Sequence, residues 1–95
     1  MNMSYPVFAV EIITPGSRAE LTDATLLDVP AEDGRLTVLA RHQPMVCSLS
    51  AGLLRIRTVK EMQEWRIGPG TLSVRKNRAE FVLQEAAPAA QPRHE

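Results

Sequence analysis

Large apolar side chains alternate from Tyr5 to Ile13. Phe8, Val10 and Ile12 share one face of an extended chain, while Val7, Ala9, Glu11 and Ile13 share the other. A period of two is the mark of a half-buried strand. Thr14-Pro15-Gly16-Ser17 is dense in turn-forming residues and ends it. A second apolar segment, Leu21 to Val29, is expected to stop at Pro30. "AEDG" then makes an acidic turn, and Arg35 to Leu39 alternates again.

Pro44 has no N–H to give to a ladder, so it belongs ahead of the strand "MVCSL" and not inside it. Gly52 marks the turn out of that strand. "LLRIRT" follows, with Leu54 and Ile56 inside and Arg55 and Arg57 outside. Glu61 to Ile67 alternates too, and Thr58 to Glu61 closes a hairpin with the strand before it. Gly68 to Gly70 turns the chain, "TLSVR" puts Leu72 and Val74 on one face, Lys76-Asn77 reverses it, and "AEFVLQE" is the last strand. Segments of strand length spaced about 8–12 residues apart, with turns between, predict an all-β, two-sheet sandwich of about 8–10 short, mostly antiparallel strands. Phe8, Val10, Leu27, Val38, Leu54, Ile56 and Val82 are its expected core.

Beyond Glu85 the chain becomes "AAPAAQPRHE", with prolines that break helices and nothing large to bury. Ala86 to Glu95 is therefore expected to be a disordered extension. The domain is assigned to residues 1–87 and a Pro/Ala-rich tail to 88–95.

Composition narrows the function classes. The chain has 95 residues, 44% hydrophobic and only 4% aromatic, so aliphatic side chains must fill the core. Its formal net charge is zero, which argues against nucleic acid as a partner. Nine of its 11 basic residues are arginines, a bias shared by protein interfaces and GC-rich codon usage. The single Cys47 excludes an intrachain disulfide and is expected to be a buried thiol. No signal peptide is visible at the start, and no apolar run has the length of a membrane span.

Catalytic constellations need convergent groups, and the chain is poor in them. His42 and His94 are the only histidines. His42 and Cys47 lack further metal ligands, and Ser48 and Ser50 have no adjacent base. "GPG" lacks the spacing and following helix of a phosphate cradle. Trp65, on an alternating strand, reads as core before it reads as a stacking platform. No catalytic residue, cofactor or metal is therefore assigned. Two other readings stand beside a simple binding domain. One is a free-standing adaptor that takes a peptide at a sheet edge. The other is an enzyme whose site is shared between two chains around His42.

The order of motifs is more specific than any one of them. "VEIITP", "LLDVP", "EDGRLTVLARHQPMVCSLSAGLLRI" and "GPGTLSV…N…FVLQEAA" together resemble the amino-terminal β-sandwich of the epsilon subunit of F-type rotary ATP synthases, over about residues 5–87. His42, Pro44, Gly52, Arg55 and Ile56 match that pattern without a gap. Ala40-Arg41 stands where the family commonly has Pro-Gly, Ala51 where it has Pro, and Thr37 where it has Gly. Such departures suit a divergent branch, such as the alternate F-type ATPases.

The resemblance implies a non-catalytic rotor subunit of the central stalk, on the cytoplasmic face of the membrane, peripheral and not inserted. Its partners would be the gamma subunit and the c-ring. Glu32, Asp33, Arg35, Arg41, His42 and Gln43 would face the c-ring, and Thr14 and Pro15 would lie nearer gamma. Arg35 and Arg41 are expected to project from the same end of the sandwich. Family members usually continue into a helical hairpin with a nucleotide motif of the type D-x-x-R; the 95 residues contain neither, so no ATP binding is expected of them.

Overall fold

A computed structural model describes residues 6–89. Nine strands and no helix occur among them: β1 (Phe8–Thr14), β2 (Ser17–Ala31), β3 (Gly34–Leu39), β4 (Met45–Leu49), β5 (Gly52–Thr58), β6 (Met62–Ile67), β7 (Gly70–Arg75), β8 (Arg78–Leu83) and β9 (Ala86–Pro88). The long β2 organises them, because its two halves pair in different layers. Its first half pairs with β1, which leads through β8 and β7 to β4. Its second half lies between β3 and β5, and β6 and β9 continue outward from β5. All pairings are antiparallel except that of β1 with β8. A single bridge, Ala31 to Leu49, ties β4 back to β2.

The inward rows of the two layers make one core. Val10, Ile12, Leu49, Leu72, Phe81 and Leu83 meet Leu27, Val29, Val38, Leu54 and Ile56. These positions alternate with polar ones because a pleated strand turns successive side chains to opposite faces. Six of the seven expected core residues are buried there. Val82 is not: it is 51% exposed, and Phe81 and Leu83 point inward in its place. "AFVL"-type density caused the difference, since Ala79, Phe81, Val82 and Leu83 are all apolar in "AEFVL" and period alone cannot choose a frame. Register does, by setting Phe81 opposite Leu72 and Val82 opposite Thr71.

Two boundaries differ from the expectation. β2 begins at Ser17 instead of Leu21 and passes through Pro30 to Ala31. Proline is tolerated there because only its missing N–H is a handicap; its carbonyl accepts from Ser50 N–H at 2.8 Å. Ala86–Pro88, expected in the disordered extension, forms β9 against Trp65–Ile67 of β6. Small side chains suffice for a short edge strand whose stability comes from the ladder. The remainder of the expected tail, from Ala90, lies outside the described residues.

Gly70 is demanded by close approach. A Cβ there would sit 2.1 Å from the Val82 carbonyl oxygen, across the β7–β8 ladder. Trp65 is half-buried against the core, and Cys47 is half-buried where full burial was expected. Burial raises the Cys47 thiol above the ordinary cysteine value, and the charge of Asp33 adds to the shift.

Candidate functional site

β3 separates the two loops that the sequence singled out. Glu32-Asp33 joins β2 to β3 at one end, and Ala40 to Pro44 leaves β3 at the other. Six residues of strand, at about 3.3 Å each, put the loops roughly 20 Å apart. Arg35 and Arg41 therefore do not share an end of the sandwich. β3 is an edge strand, paired only with β2 among the described residues, so both loops reach a common partner only along that edge.

The two arginines also differ in freedom. Arg35 lies down on its own sheet, with Nε donating to Asp28 Oδ1 at 3.0 Å and Nη2 to the carbonyls of Asp28 at 3.1 Å and Leu53 at 2.9 Å. Three acceptors on β2 and β5 hold it, so it stitches strands instead of projecting. Glu32 and Asp33 are exposed at the adjacent turn, and Glu32 N–H donates to Ser48 O at 3.1 Å.

Arg41 takes a left-handed backbone, φ 64°, in the loop after β3. Side chains rarely adopt that region, and something must hold this one there. Its N–H donates to Asn77 Oδ1 at 2.8 Å, and Asn77 Nδ2 donates in turn to Val7 O at 2.8 Å. Asn77 is itself left-handed, φ 59°, in the two-residue Lys76-Asn77 turn. The Arg41 side chain is exposed and has no ion-pair partner among the described residues. His42 closes the turn with its N–H on Leu39 O at 3.2 Å, and its half-buried ring donates from Nδ1 to Gln43 O at 2.7 Å. Gln43 is exposed beside it.

Thr14 and Pro15 sit in the tight β1–β2 turn, where Thr14 Oγ1 and Ser17 Oγ are 2.8 Å apart. Beside them runs a shallow groove of about 430 Å³, lined by Ile13, Pro69, Val82 and Gln84 among others. Val82, exposed instead of buried in the core, lines it as well. This turn lies at the Glu32-Asp33 end of the molecule: Thr14 adjoins Pro69 and Gly70, Gly70 pairs with Leu49, and Leu49 bridges Ala31.

One cluster escaped the sequence reading. Glu11 is 2% exposed although it faces away from the core, because the side chains of Arg18 and Arg78 cover it. Arg18 pairs with Glu11 Oε2, and Arg78 Nη2 reaches Glu11 Oε1 at 2.9 Å and Glu20 Oε2 at 3.3 Å. The Arg78 hydrogen bond holds the Glu11 carboxyl below its ordinary value; covering from water opposes the shift and Arg18 reinforces it. Reciprocally, the bond to Glu11 raises Arg78 above the usual arginine range. A lone carboxylate within "FAVEIIT" was the available signal, and its partners come from β2 and β8. Among the described residues, no three His, Cys, Asp or Glu side chains converge as metal ligands would.

Residues 7–89, nearly the whole described chain, match the family described as ATP synthase, Delta/Epsilon chain, beta-sandwich domain. The chain belongs to that family. An ATP synthase epsilon chain of Pelotomaculum thermopropionicum is 33% identical over 89 residues, covering 94% of this chain and 66% of the relative. That of Bacillus pumilus is 31% identical over 77 residues, covering 81% and 59%. The chain thus spans about two thirds or less of these epsilon chains. Two solved ATP synthase assemblies share the fold. One, the mitochondrial enzyme of Euglena gracilis, gives a TM-score of 0.80 at 18% identity, covering 93% of this chain and 56% of the other. The other, the central stalk and c-ring of Tetrahymena thermophila mitochondrial ATP synthase, gives 0.74 at 16%, covering 83% and 64%. In this epsilon-type sandwich the polar side chains near the loops stitch strands and turns together.

Proposed function

We propose that this sandwich is a non-catalytic rotor element of an F-type ATP synthase, joining the gamma subunit to the c-ring at the cytoplasmic face of the membrane. Family membership over residues 7–89 carries the reading. In it, ion-driven rotation of the ring reaches the catalytic head through gamma, and this chain holds the moving parts together. No helix among the described residues is long and apolar enough to cross a membrane, so ring contact would be made by loops.

The geometry refines which residues would do so. The ring-facing set Glu32, Asp33, Arg35, Arg41, His42 and Gln43 would act along the edge of β3 instead of at one tip. Within that set Arg41 offers an unengaged charge, whereas Arg35 serves the sandwich itself. Thr14 and Pro15, beside the apolar groove around Val82, would lie nearer gamma.

The unpaired β3 edge also suits a free-standing adaptor, and one experiment separates the readings. Tagged chain drawn from native membranes should bring down gamma and the c-ring in stoichiometric amounts. Recovery of the chain without either subunit would rule out the rotor assignment.

A further inference from the structure

The β7–β8 hairpin carries "RKNR" at the end of the sandwich where Arg41 lies. Its side chains, with those of β4, line a groove of about 660 Å³. Pro44, Met45 and Val46 make one wall, and Arg75, Lys76 and Glu80 rise on the other side. Val46 is 72% exposed, the most open of the large exposed apolar side chains. Beyond it, β4 meets β2 only through the single bridge at Leu49, so the Met45 end of its outer edge is unpaired among the described residues.

We infer that this groove is a docking surface for an acidic, partly apolar segment of a partner polypeptide. Charge complementarity is the first argument. Arg78 is occupied by Glu11 and Glu20, but Arg75 and Lys76, like Arg41, have no ion-pair partner among the described residues. Two unengaged cations thus line the groove beside an exposed valine, and Arg41 stands in the loop that Asn77 ties to the same turn.

Local cost is the second. Arg75 stands directly opposite Arg78 across the β7–β8 ladder, an arrangement that works against the hairpin. Arg41 holds a left-handed backbone that glycine would take without strain. Features unfavourable to the fold concentrate where binding requires them. Asn77 joins both features into one unit, since the same side chain fixes the Arg41 loop and the start of β1.

The chemistry also disfavours other occupants. Glu80 within the groove can accept the backbone N–H groups of a polypeptide, donors that a row of phosphates lacks. A second copy docked about a two-fold axis would set basic rim against basic rim. The inference rests on the rotor reading, because it names a contact additional to the β3 edge.

The test uses the full chain and, as probe, the gamma subunit–c-ring subcomplex of the same organism. Arg75→Glu combined with Lys76→Glu should weaken binding about tenfold or more at low salt, with the loss shrinking as salt screens the charges. Val46→Ser should weaken it about threefold or more at every salt concentration. Arg57→Glu, on the outer face of β5, should leave affinity unchanged. Equal binding by the charge-reversed and wild-type chains would overturn the proposal while leaving the rotor reading intact. Charge-dependent pelleting with phosphatidylglycerol vesicles, without a change in subcomplex affinity, would assign the groove to lipid and also overturn it. Failure of the wild-type chain to bind the subcomplex sinks the rotor reading, and this surface with it.

Discussion

Asn77 accepts the backbone N–H of Arg41 at 2.8 Å across 36 positions of sequence. Its amide nitrogen donates to Val7 O, and its own carbonyl accepts from Ala9 N–H at 3.3 Å. One residue therefore ties the loop after β3, the β7–β8 turn and the first strand. Only asparagine and glutamine carry donor and acceptor together on a side-chain amide, and asparagine is the one that tolerates φ 59° well.

Asn77→Ala should lower stability by about 2 kcal/mol, combining roughly 1 kcal/mol for hydrogen bonds with a similar amount for the left-handed backbone. Asn77→Gly should cost about 1 kcal/mol, since it removes the bonds and not the conformational freedom. Urea unfolding of the three chains gives the order. Alanine and glycine variants of equal stability would show that the turn geometry carries no strain.

Arg35 and Arg41 should respond oppositely to mutation. Arg35→Glu sets a carboxylate against Asp28 and leaves the Leu53 carbonyl unserved, and should cost about 1–2 kcal/mol. Arg41→Glu should stay within about 0.5 kcal/mol of wild type. Arg41→Gly should stabilise by about 0.5–1 kcal/mol, because glycine accepts the left-handed backbone. Thermal melts of the three variants are sufficient; a stable Arg35→Glu would mean the stitch to Asp28 and Leu53 is idle.

Gly70→Ala is the severe substitution. The added Cβ meets backbone atoms, Val82 O at 2.1 Å and Leu83 Cα at 2.8 Å, which cannot swing aside as a side chain would. Separation of β7 from β8 should cost about 3 kcal/mol, at the upper end for overpacking. Circular dichroism and urea midpoints would register it, and a wild-type midpoint would show the hairpin to be far more pliable than drawn.

Acid should loosen the fold through Glu11. Its folded-state carboxyl is held below the ordinary value of 4.5, first by the Arg78 hydrogen bond. The folded state therefore binds that proton less readily than the unfolded chain. Stability from this group is present above pH 4.5 and is lost as pH falls through the lower folded value. Glu11→Gln should lower the urea midpoint at pH 7, and the gap to wild type should close toward pH 3. Parallel pH profiles for the two chains would show that the carboxylate charge contributes nothing.

Much of the strand content was legible in the chain because alternation is a local consequence of the pleat. Phe8, Val10, Leu54 and Ile56 could be placed inside from their neighbours alone. Turn chemistry was legible too, at Pro15-Gly16, at Glu32-Asp33 and at Lys76-Asn77. The ordered series around His42, Pro44 and Gly52 also carried the family. What local pattern could not choose was the frame of "AEFVL", where four apolar residues crowd five positions. Nor could it see that Pro30 keeps a usable carbonyl, or that Ala86–Pro88 finds a ladder on β6.

The candidate surfaces divide along the same line. Which residues are charged is written in the sequence, and the family resemblance marks Arg41 as standing where glycine is common. Which charges are spent is decided only by distant chain segments: Asp28 and Leu53 engage Arg35, Glu11 and Glu20 engage Arg78, and Asn77 fixes the Arg41 loop. Those partners lie 7 to 67 positions away, brought together by β2 running through both layers and by β1 lying parallel to β8. A charge satisfied across a sheet and a charge left for a partner look alike in one dimension, because the acceptors that distinguish them are set by strand register.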